Sequence, residues 1–212
     1  MELHVLRVFV DDEDRHGNPL GVVRDGPAVP PEERQPLAAE LGYSETVFVD
    51  DAERGEIRIF TPAAEVAFAG HPSVGSAWLL ECDVLRPPAG EVPVRRDGEL
   101  TWIAGRPEWG PPFEHTELRS PADVDAIERP GSGHQAVWAW EGPARVRARV
   151  FPVDLGIAED EATGAAAVRL GALLGRELRI RQGEGSLIHV RPGADGMVEI
   201  GGRVVLDTVI ER

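Results

Sequence analysis

The chain has 212 residues, enough to enclose a hydrophobic core, and a net charge of −15 that disfavours nucleic acid and anionic membranes as partners. All 22 basic residues are arginine, which excludes a pyridoxal-phosphate Schiff base, a lysine general base and a P-loop lysine. The single cysteine, Cys82, excludes an internal disulfide and a cysteine-pair metal site. No signal-peptide pattern opens the sequence, so we expect a cytoplasmic protein.

The first half of the chain predicts strands followed by a helix without a polar face. Residues 3–10, 45–49 and 56–60 predict strands, and residues 17–23 predict a turn followed by a short strand. Residues 30–41 predict a helix, because Glu32 and Glu33 stand in its first turn, where the helix dipole favours acids. Residues 72–81 predict a second helix, which is apolar on every side and must therefore be covered all round.

The second half repeats this order. Residues 136–140 and 145–151 predict a strand pair, and residues 161–174 predict another helix of small and apolar residues. Repetition on this scale predicts an α+β fold of two pseudo-symmetric halves, each a curled sheet around a central helix. We place the boundary within a segment rich in proline, glycine and charge, which gives halves of residues 1–107 and 108–212.

Two titratable residues stand at the starts of the two apolar helices. When the helices are aligned, Gly75 lies opposite Gly164 and His71 lies opposite Asp160. The start of a helix attracts anions, because its first N–H groups are unpaired and its dipole is positive there. If the halves face each other, we expect His71 and Asp160 to share one cleft that receives a small carboxylate.

Each of these residues also has a purely structural interpretation. His71 in a Gly-His-Pro sequence is often a hydrogen-bonded histidine in a turn, and Asp160 could simply cap its helix. Glu45, between Ser44 and Thr46, could lie in solvent at a strand end.

Several motifs closely resemble the PhzF-like family of phenazine biosynthesis. The most specific are SETVFV at residues 44–49, RIFTP at 58–62, EVAFAGHP at 65–72 and EDEATG at 159–164. Weaker matches extend the resemblance over the whole chain: GNPL at residues 17–20, QG at 182–183, IHVR at 188–191 and VEIGGR at 198–203.

The resemblance implies the diaminopimelate-epimerase-like fold, no cofactor and a homodimer. Epimerases of that fold carry a cysteine before each central helix, whereas this sequence resembles the branch that carries His71 and Asp160 there. A two-thiol racemase is therefore excluded. The implied activity is isomerisation of a small unsaturated carboxylic or amino acid, in which a glutamate moves a proton between two carbons. The resemblance also implies a role in secondary metabolism, such as antibiotic biosynthesis.

The resemblance also implies roles for particular residues. Glu45 matches the family's acid/base glutamate, and His71 and Asp160 are expected to hydrogen-bond the polar groups of the substrate. The other expected substrate contacts are Asn18, Gly70, Ser73, Gly164 and Ala165. No metal ligands are expected.

The sequence departs from the family pattern at three points. Ala165 replaces a serine, which removes a hydroxyl expected to touch substrate, and Glu161 replaces a proline, which adds a charge near the pocket. The chain is also shorter than typical members between the first central helix and the second strand pair. The open alternatives are an epimerase that uses His71 and Asp160, and a catalytically inactive homologue that binds a small acid or a protein.

Overall fold

The computed structural model describes residues 1–211. The elements of the first half are β1 (Glu2–Val10), β2 (Asn18–Val23), α1 (Pro31–Leu41), β3 (Thr46–Asp51), β4 (Glu56–Phe60), β5 (Glu65–Val66), α2 (Gly70–Leu80), β6 (Val84–Leu85), β7 (Val92–Asp97) and β8 (Leu100–Gly105). Those of the second half are β9 (Glu114–Glu117), α3 (Pro121–Asp125), β10 (His134–Trp140), β11 (Arg145–Pro152), α4 (Gly164–Leu174), β12 (Leu178–Gln182), β13 (Ser186–Pro192) and β14 (Val198–Glu211).

The strands of the described chain pair into one continuous sheet that passes from one half to the other. Its main path is β5-β4-β3-β2-β1-β14-β13-β12-β11-β10-β9, with β6, β7 and β8 joined to it through β14. The long strand β14 makes the connection, because residues 203–211 pair with β1 whereas residues 198–202 lie between β8 and β13. A domain boundary near residue 107 stays a prediction, because the sheet continues from one half to the other through β14.

Helix α2 lies inside the first half, as its composition predicts. Residues 70–77 are all buried, and Val74 is fully enclosed, a burial that contributes about 1.5–3 kcal/mol. A Cβ atom at Gly75 would come within 2.5 Å of Leu20 and 2.8 Å of Val8. The strands therefore lie so close to this helix that residue 75 has no room for a side chain. The small residues of α2 therefore permit the sheet to curl around it.

Helix α4 has the same role in the second half, but it is less completely covered. A Cβ atom at Gly171 would come within 2.5 Å of Val190 and 2.8 Å of Val198, which again shows close approach of strands. Near the end of α4, however, Leu173 is 64 % exposed. The homodimer expected from the family resemblance stays a prediction.

The two central helices meet at their first residues. A Cβ atom at Gly70 would lie 2.8 Å from the Cα atom of Gly164, and one at Gly164 would lie 2.6 Å from the amide nitrogen of His71. Gly70 and Gly164 are therefore the equivalent residues, and the predicted alignment of Gly75 with Gly164 and of His71 with Asp160 is wrong. His71 is the second residue of α2, whereas Asp160 lies four residues before α4 begins.

The predicted order of elements is confirmed, with shifted helix starts. Helix α2 begins at Gly70 rather than at residue 72, and α4 begins at Gly164 rather than at residue 161. The segment before α4 is not helical: the amide of Asp160 donates to the carbonyl of Val150 in β11, and the chain bends at Glu161. The segment expected to be a junction, residues 108–133, contains β9 and α3.

Candidate active site

Glu45 lies between α1 and β3, at the point where the chain enters the first-half sheet. Its side chain is only 12 % exposed, so the interpretation that it lies in solvent is wrong. The hydroxyl of Ser44 donates to its Oε2 atom at 2.7 Å, and the Nδ1 atom of His71 lies 3.0 Å from the same oxygen. Within the described residues, Oε1 of Glu45 has no hydrogen-bond partner, so this oxygen is available to another molecule.

His71 is held at both ring nitrogens by the protein. Its Nε2 atom lies 3.1 Å from the backbone carbonyl of Asn18, which can only accept, so Nε2 carries a proton. The contact between Nδ1 and the carboxyl of Glu45 then needs one further proton, placed on either group. His71 and Glu45 therefore share a proton, with the imidazole buried at 2 % exposure.

Asn18, the first residue of β2, joins the two halves at this point. Its side-chain Nδ2 atom donates to Oδ1 of Asp160 at 2.7 Å and to the carbonyl of Ala162 at 3.0 Å. Its backbone carbonyl accepts from His71, so one residue contacts both titratable groups. The structure thus brings together the predicted residues 18, 45, 71 and 160.

Asp160 is buried in a network of polar side chains. The hydroxyl of Thr163 donates to its Oδ2 atom at 2.6 Å, and the amide of Gln182 donates to Thr163 Oγ1 at 2.8 Å. Burial raises the pKa of Asp160 to about 7, and the nearby charge of Glu45 adds to this rise. The interpretation that Asp160 caps α4 is wrong, since the cap residue is Thr163 and no side chain caps the helix start.

A narrow cavity of about 30 Å³ lies between the halves, with Glu45 and Asp160 both in its wall. Thr163 and Ala165 line it at the start of α4. The rest of the wall is mainly apolar and is formed by Val66, Phe68, Ala69, Pro111, Phe113, Pro152, Leu155 and Ile157, together with Thr61. A polar pair thus faces a mainly apolar space, which strengthens electrostatic interactions inside it.

Other predicted site residues have mainly structural contacts. Ser73 is fully buried and its hydroxyl donates to the carbonyl of Ala69 at 2.7 Å. Gly70 and Gly164 pack against each other, and their substrate contacts, like that of Ser73, stay predictions. The first N–H groups of both helices have no carbonyl partner within the helix, as at any helix start.

Most of the cavity wall and part of the polar network were not predicted from the sequence, and Thr163, Gln182 and Phe113 are examples. Thr163 and Gln182 lie within motifs of the family resemblance, which was the available signal for them. Phe113 lies in a segment rich in proline and glycine, where no pattern marks it as part of a pocket wall.

The described residues lack two features, a cluster of metal-ligating side chains and a membrane-spanning helix. Within residues 1–211, no group of three or more histidine, cysteine, aspartate or glutamate side chains could hold a metal ion. In the same range no helix is long and apolar enough to cross a membrane. The cytoplasmic location stays a prediction.

Comparisons with known proteins agree with the resemblance seen in the sequence. A family model described as phenazine biosynthesis-like protein matches residues 7–128. The chain is 29 % identical over 217 residues to a trans-2,3-dihydro-3-hydroxyanthranilate isomerase of Pseudomonas fluorescens, covering 79 % of this chain and 78 % of the relative.

Solved structures show the same fold. A phenazine biosynthesis protein of the PhzF family from Enterococcus faecalis matches with a TM-score of 0.75 at 21 % identity, covering 98 % of this chain and 97 % of that one. A hydroxyproline epimerase from Agrobacterium vitis matches with a TM-score of 0.64 at 12 % identity, covering 99 % and 91 %. The diaminopimelate-epimerase-like fold is thereby confirmed. From the family model and the isomerase relatives we conclude that the chain is an isomerase of the phenazine biosynthesis-like protein family.

Proposed function

We propose that this isomerase shifts a double bond in a small unsaturated carboxylic or amino acid, without a cofactor, by moving a proton through Glu45. The observation that carries this proposal is the placement of Glu45 in the wall of the narrow cavity, hydrogen-bonded to buried His71, with Oε1 unpartnered in the described chain. Secondary metabolism is the proposed setting, by analogy with the named activity of the Pseudomonas relative.

The shared proton of Glu45 and His71 suits Glu45 to act as a base. With that proton on His71, Glu45 is a carboxylate and can take a proton from a carbon beside an unsaturated system. The electron pair of the broken C–H bond forms a new double bond, the old double bond shifts, and Glu45 returns the proton to a second carbon. Atoms and electrons balance without an oxidant or reductant.

Asp160 is suited to hold a polar group of the substrate. Because the pKa of Asp160 is raised to about 7, Asp160 is protonated in a large fraction of the molecules near neutral pH. The protonated carboxyl can donate a hydrogen bond. The substrate carboxylate would be received by the first N–H groups of α4, beside Ala165 in the cavity wall.

The size of the cavity limits the substrate to a small molecule and requires movement for its entry. A volume of about 30 Å³ holds about one water molecule. To admit a larger molecule, the wall is proposed to move outward at Phe113, in a loop, and at Leu155, in a short 3-10 turn. Once closed, these apolar side chains would keep water from the reacting carbons.

The alternative function, an epimerase that uses His71 and Asp160, has less support from the geometry of the site than the isomerase. Both ring nitrogens of His71 contact the protein, at Glu45 and at the carbonyl of Asn18, and His71 does not line the cavity. An epimerase in this site would instead use Glu45 and Asp160, which both line the cavity.

The test follows the proton by NMR in deuterated water, with trans-2,3-dihydro-3-hydroxyanthranilate as the first substrate and other small unsaturated acids as further substrates. We expect a shifted double bond and label at the carbon that receives the proton. Label confined to one stereocentre with an unmoved double bond would instead establish an epimerase.

The Glu45→Gln variant removes the proposed base, and Glu53→Gln, at an exposed glutamate, is the matched control. We expect Glu45→Gln to lower kcat at least about 100-fold, as loss of an acid–base group does, and Glu53→Gln to leave it unchanged. Full activity in Glu45→Gln would refute the proposed role. Binding of these acids without any turnover by the wild-type protein would favour the inactive homologue.

A further inference from the structure

The carboxylate of Glu161 is bound by backbone N–H groups of the turn between β12 and β13. The amide of Glu184 donates to it at 2.9 and 3.1 Å, that of Ser186 at 3.3 Å and that of Gly185 at 3.4 Å. The hydroxyl of Ser186 donates to the same group at 2.7 Å. Successive amides of this kind form a concave anion site, here filled by the protein's own side chain.

This contact corrects an expectation from the sequence. Glu161 was expected to add a charge near the pocket, but its side chain lies in the β12–β13 turn and does not line the cavity. Asp160 forms an isolated bridge with Val150 in β11, and the chain bends at Glu161, next to the turn that binds its carboxylate.

The turn is shaped to receive this carboxylate. Gly183 has a φ of +56°, a conformation that strains other residues, and a Cβ atom there would lie 1.9 Å from Oε2 of Glu161. Any side chain at residue 183 would therefore displace the carboxylate. Glu161 and Gly183 form a matched pair.

Asp160 is consequently anchored on both sides. Before it, Glu159 accepts two hydrogen bonds from Arg149, at 2.7 and 2.8 Å, and one from Arg129 at 2.8 Å. After it, Glu161 is bound in the turn. The amide of Gln182, from the strand that leads into the same turn, also donates to the backbone carbonyl of Asp160 at 2.9 Å.

We propose that Glu161 is a positioning residue, whose carboxylate, bound in the β12–β13 turn, holds the carboxyl of Asp160 in the cavity opposite Glu45. It does so at the place where the family pattern has a proline, so a side-chain anchor replaces a stiff backbone. This inference rests on the proposed role of Asp160 in substrate binding, and its structural part is measurable without substrate.

The first experiment records the titration of Asp160 by carbon-13 NMR of the aspartate carboxyls, with the Asp160 signal assigned by its loss in Asp160→Asn. Glu161→Ala releases the anchor, and we expect the pKa of Asp160 to fall from about 7 toward that of a solvated carboxyl, because the burial that raises it is lost. Glu161→Gln keeps an acceptor oxygen, and we expect a pKa near that of the wild type. Glu184→Gln, which removes an exposed charge from the same turn, is the matched control and should leave the titration unchanged.

The second experiment changes the β12–β13 turn instead of Glu161. Gly183→Ala fills the space of the carboxylate, so we expect the same fall in the pKa of Asp160 as in Glu161→Ala, and no further fall in the double variant. Additive falls would show that the two residues act separately and would overturn the proposal. So would an Asp160 titration that stays at its wild-type position in folded Glu161→Ala, with folding checked by circular dichroism.

Activity supplies the last comparison. We expect Glu161→Ala to lower kcat/KM about 10- to 100-fold through misplacement of Asp160, and Glu161→Pro to recover most of that loss by stiffening the backbone. Equal losses in the alanine and proline variants would show that the charge itself matters, against positioning. If no substrate is turned over by the wild-type protein, the proposed function fails, while the titrations still decide whether Glu161 holds Asp160.

Discussion

The side-chain amide of Asn18 donates a 2.7 Å hydrogen bond to the carboxyl of Asp160, across 142 residues of sequence. The backbone carbonyl of the same asparagine lies 3.1 Å from Nε2 of His71. The two titratable groups therefore have a common support at the contact between the halves. Loss of this support changes both the stability of the contact and the electrostatics of the cavity.

We expect Asn18→Ala to lower the free energy of unfolding by about 1–3 kcal/mol, because it leaves the buried Asp160 without one of its donors. Urea denaturation followed by tryptophan fluorescence measures the change. Asn18→Asp is the informative companion, since it places a second carboxyl 2.7 Å from Asp160 in an almost isosteric side chain. A stability equal to that of the wild type in both variants would show that the contact contributes little.

The raised pKa of Asp160 predicts a stability that falls as pH rises. Between the ordinary value of 3.8 and about 7, the folded protein holds a proton that the unfolded chain has released, so unfolding becomes easier with increasing pH. The stability lost per pH unit between the two pKa values is on the order of 1 kcal/mol. This contribution is fully present below pH 3.8 and is lost by pH 7 or slightly above.

Asp160→Asn keeps the size of the side chain and removes the titration. We expect the free energy of unfolding of the wild type to fall relative to that of Asp160→Asn between pH 5 and pH 8, when both are measured by urea denaturation. A difference that is the same at both pH values would show that Asp160 has an ordinary pKa in the folded protein.

Local sequence patterns predicted the helices and strands, because the spacing of apolar residues within a segment indicates its secondary structure. The strand pairs, and the apolar helices α2 and α4, follow from β-branched composition and from the lack of a polar face. The start of α4 was placed wrongly at Glu161, three residues before the helix begins at Gly164. A backbone anion site in the β12–β13 turn, formed by residues 184–186, takes this carboxylate instead.

The site was predictable only in part, for a related reason. Glu45, His71 and Asp160 stood out through motifs and helix starts, whereas the central place of Asn18 depends on partners 53 and 142 residues away. No local sequence pattern indicates contacts between residues so far apart in the sequence. Phe113 in the cavity wall is likewise placed by the path of a loop, which composition alone does not determine.

The packing around α2 makes a separate prediction about stability. Gly75→Ala would place a Cβ atom 2.5 Å from Cδ2 of Leu20 and 2.8 Å from Cγ2 of Val8, so side chains or backbone must shift. We expect a loss of about 1–3 kcal/mol in the free energy of unfolding, although alanine is the better helix former. Gly131→Ala is the control, because nothing lies within 4 Å of a Cβ atom there. Equal stability of the two variants would mean that the strands can retreat from α2 at no cost.

Ala165 offers a gain-of-function test of the cavity. It lies in the first turn of α4 and lines the cavity beside Thr163 and Asp160, at the place where the family pattern has a serine. Ala165→Ser adds a hydroxyl that can donate to the substrate carboxylate, and one such hydrogen bond contributes about 0.5–1.5 kcal/mol. We therefore expect KM for a small unsaturated carboxylate to fall about 2- to 10-fold, with kcat little changed, in steady-state kinetics. Ala166→Ser, one residue further along the same buried turn, is the control, because residue 166 does not line the cavity. A rise in KM in Ala165→Ser would show instead that the chain binds a substrate whose apolar part faces residue 165.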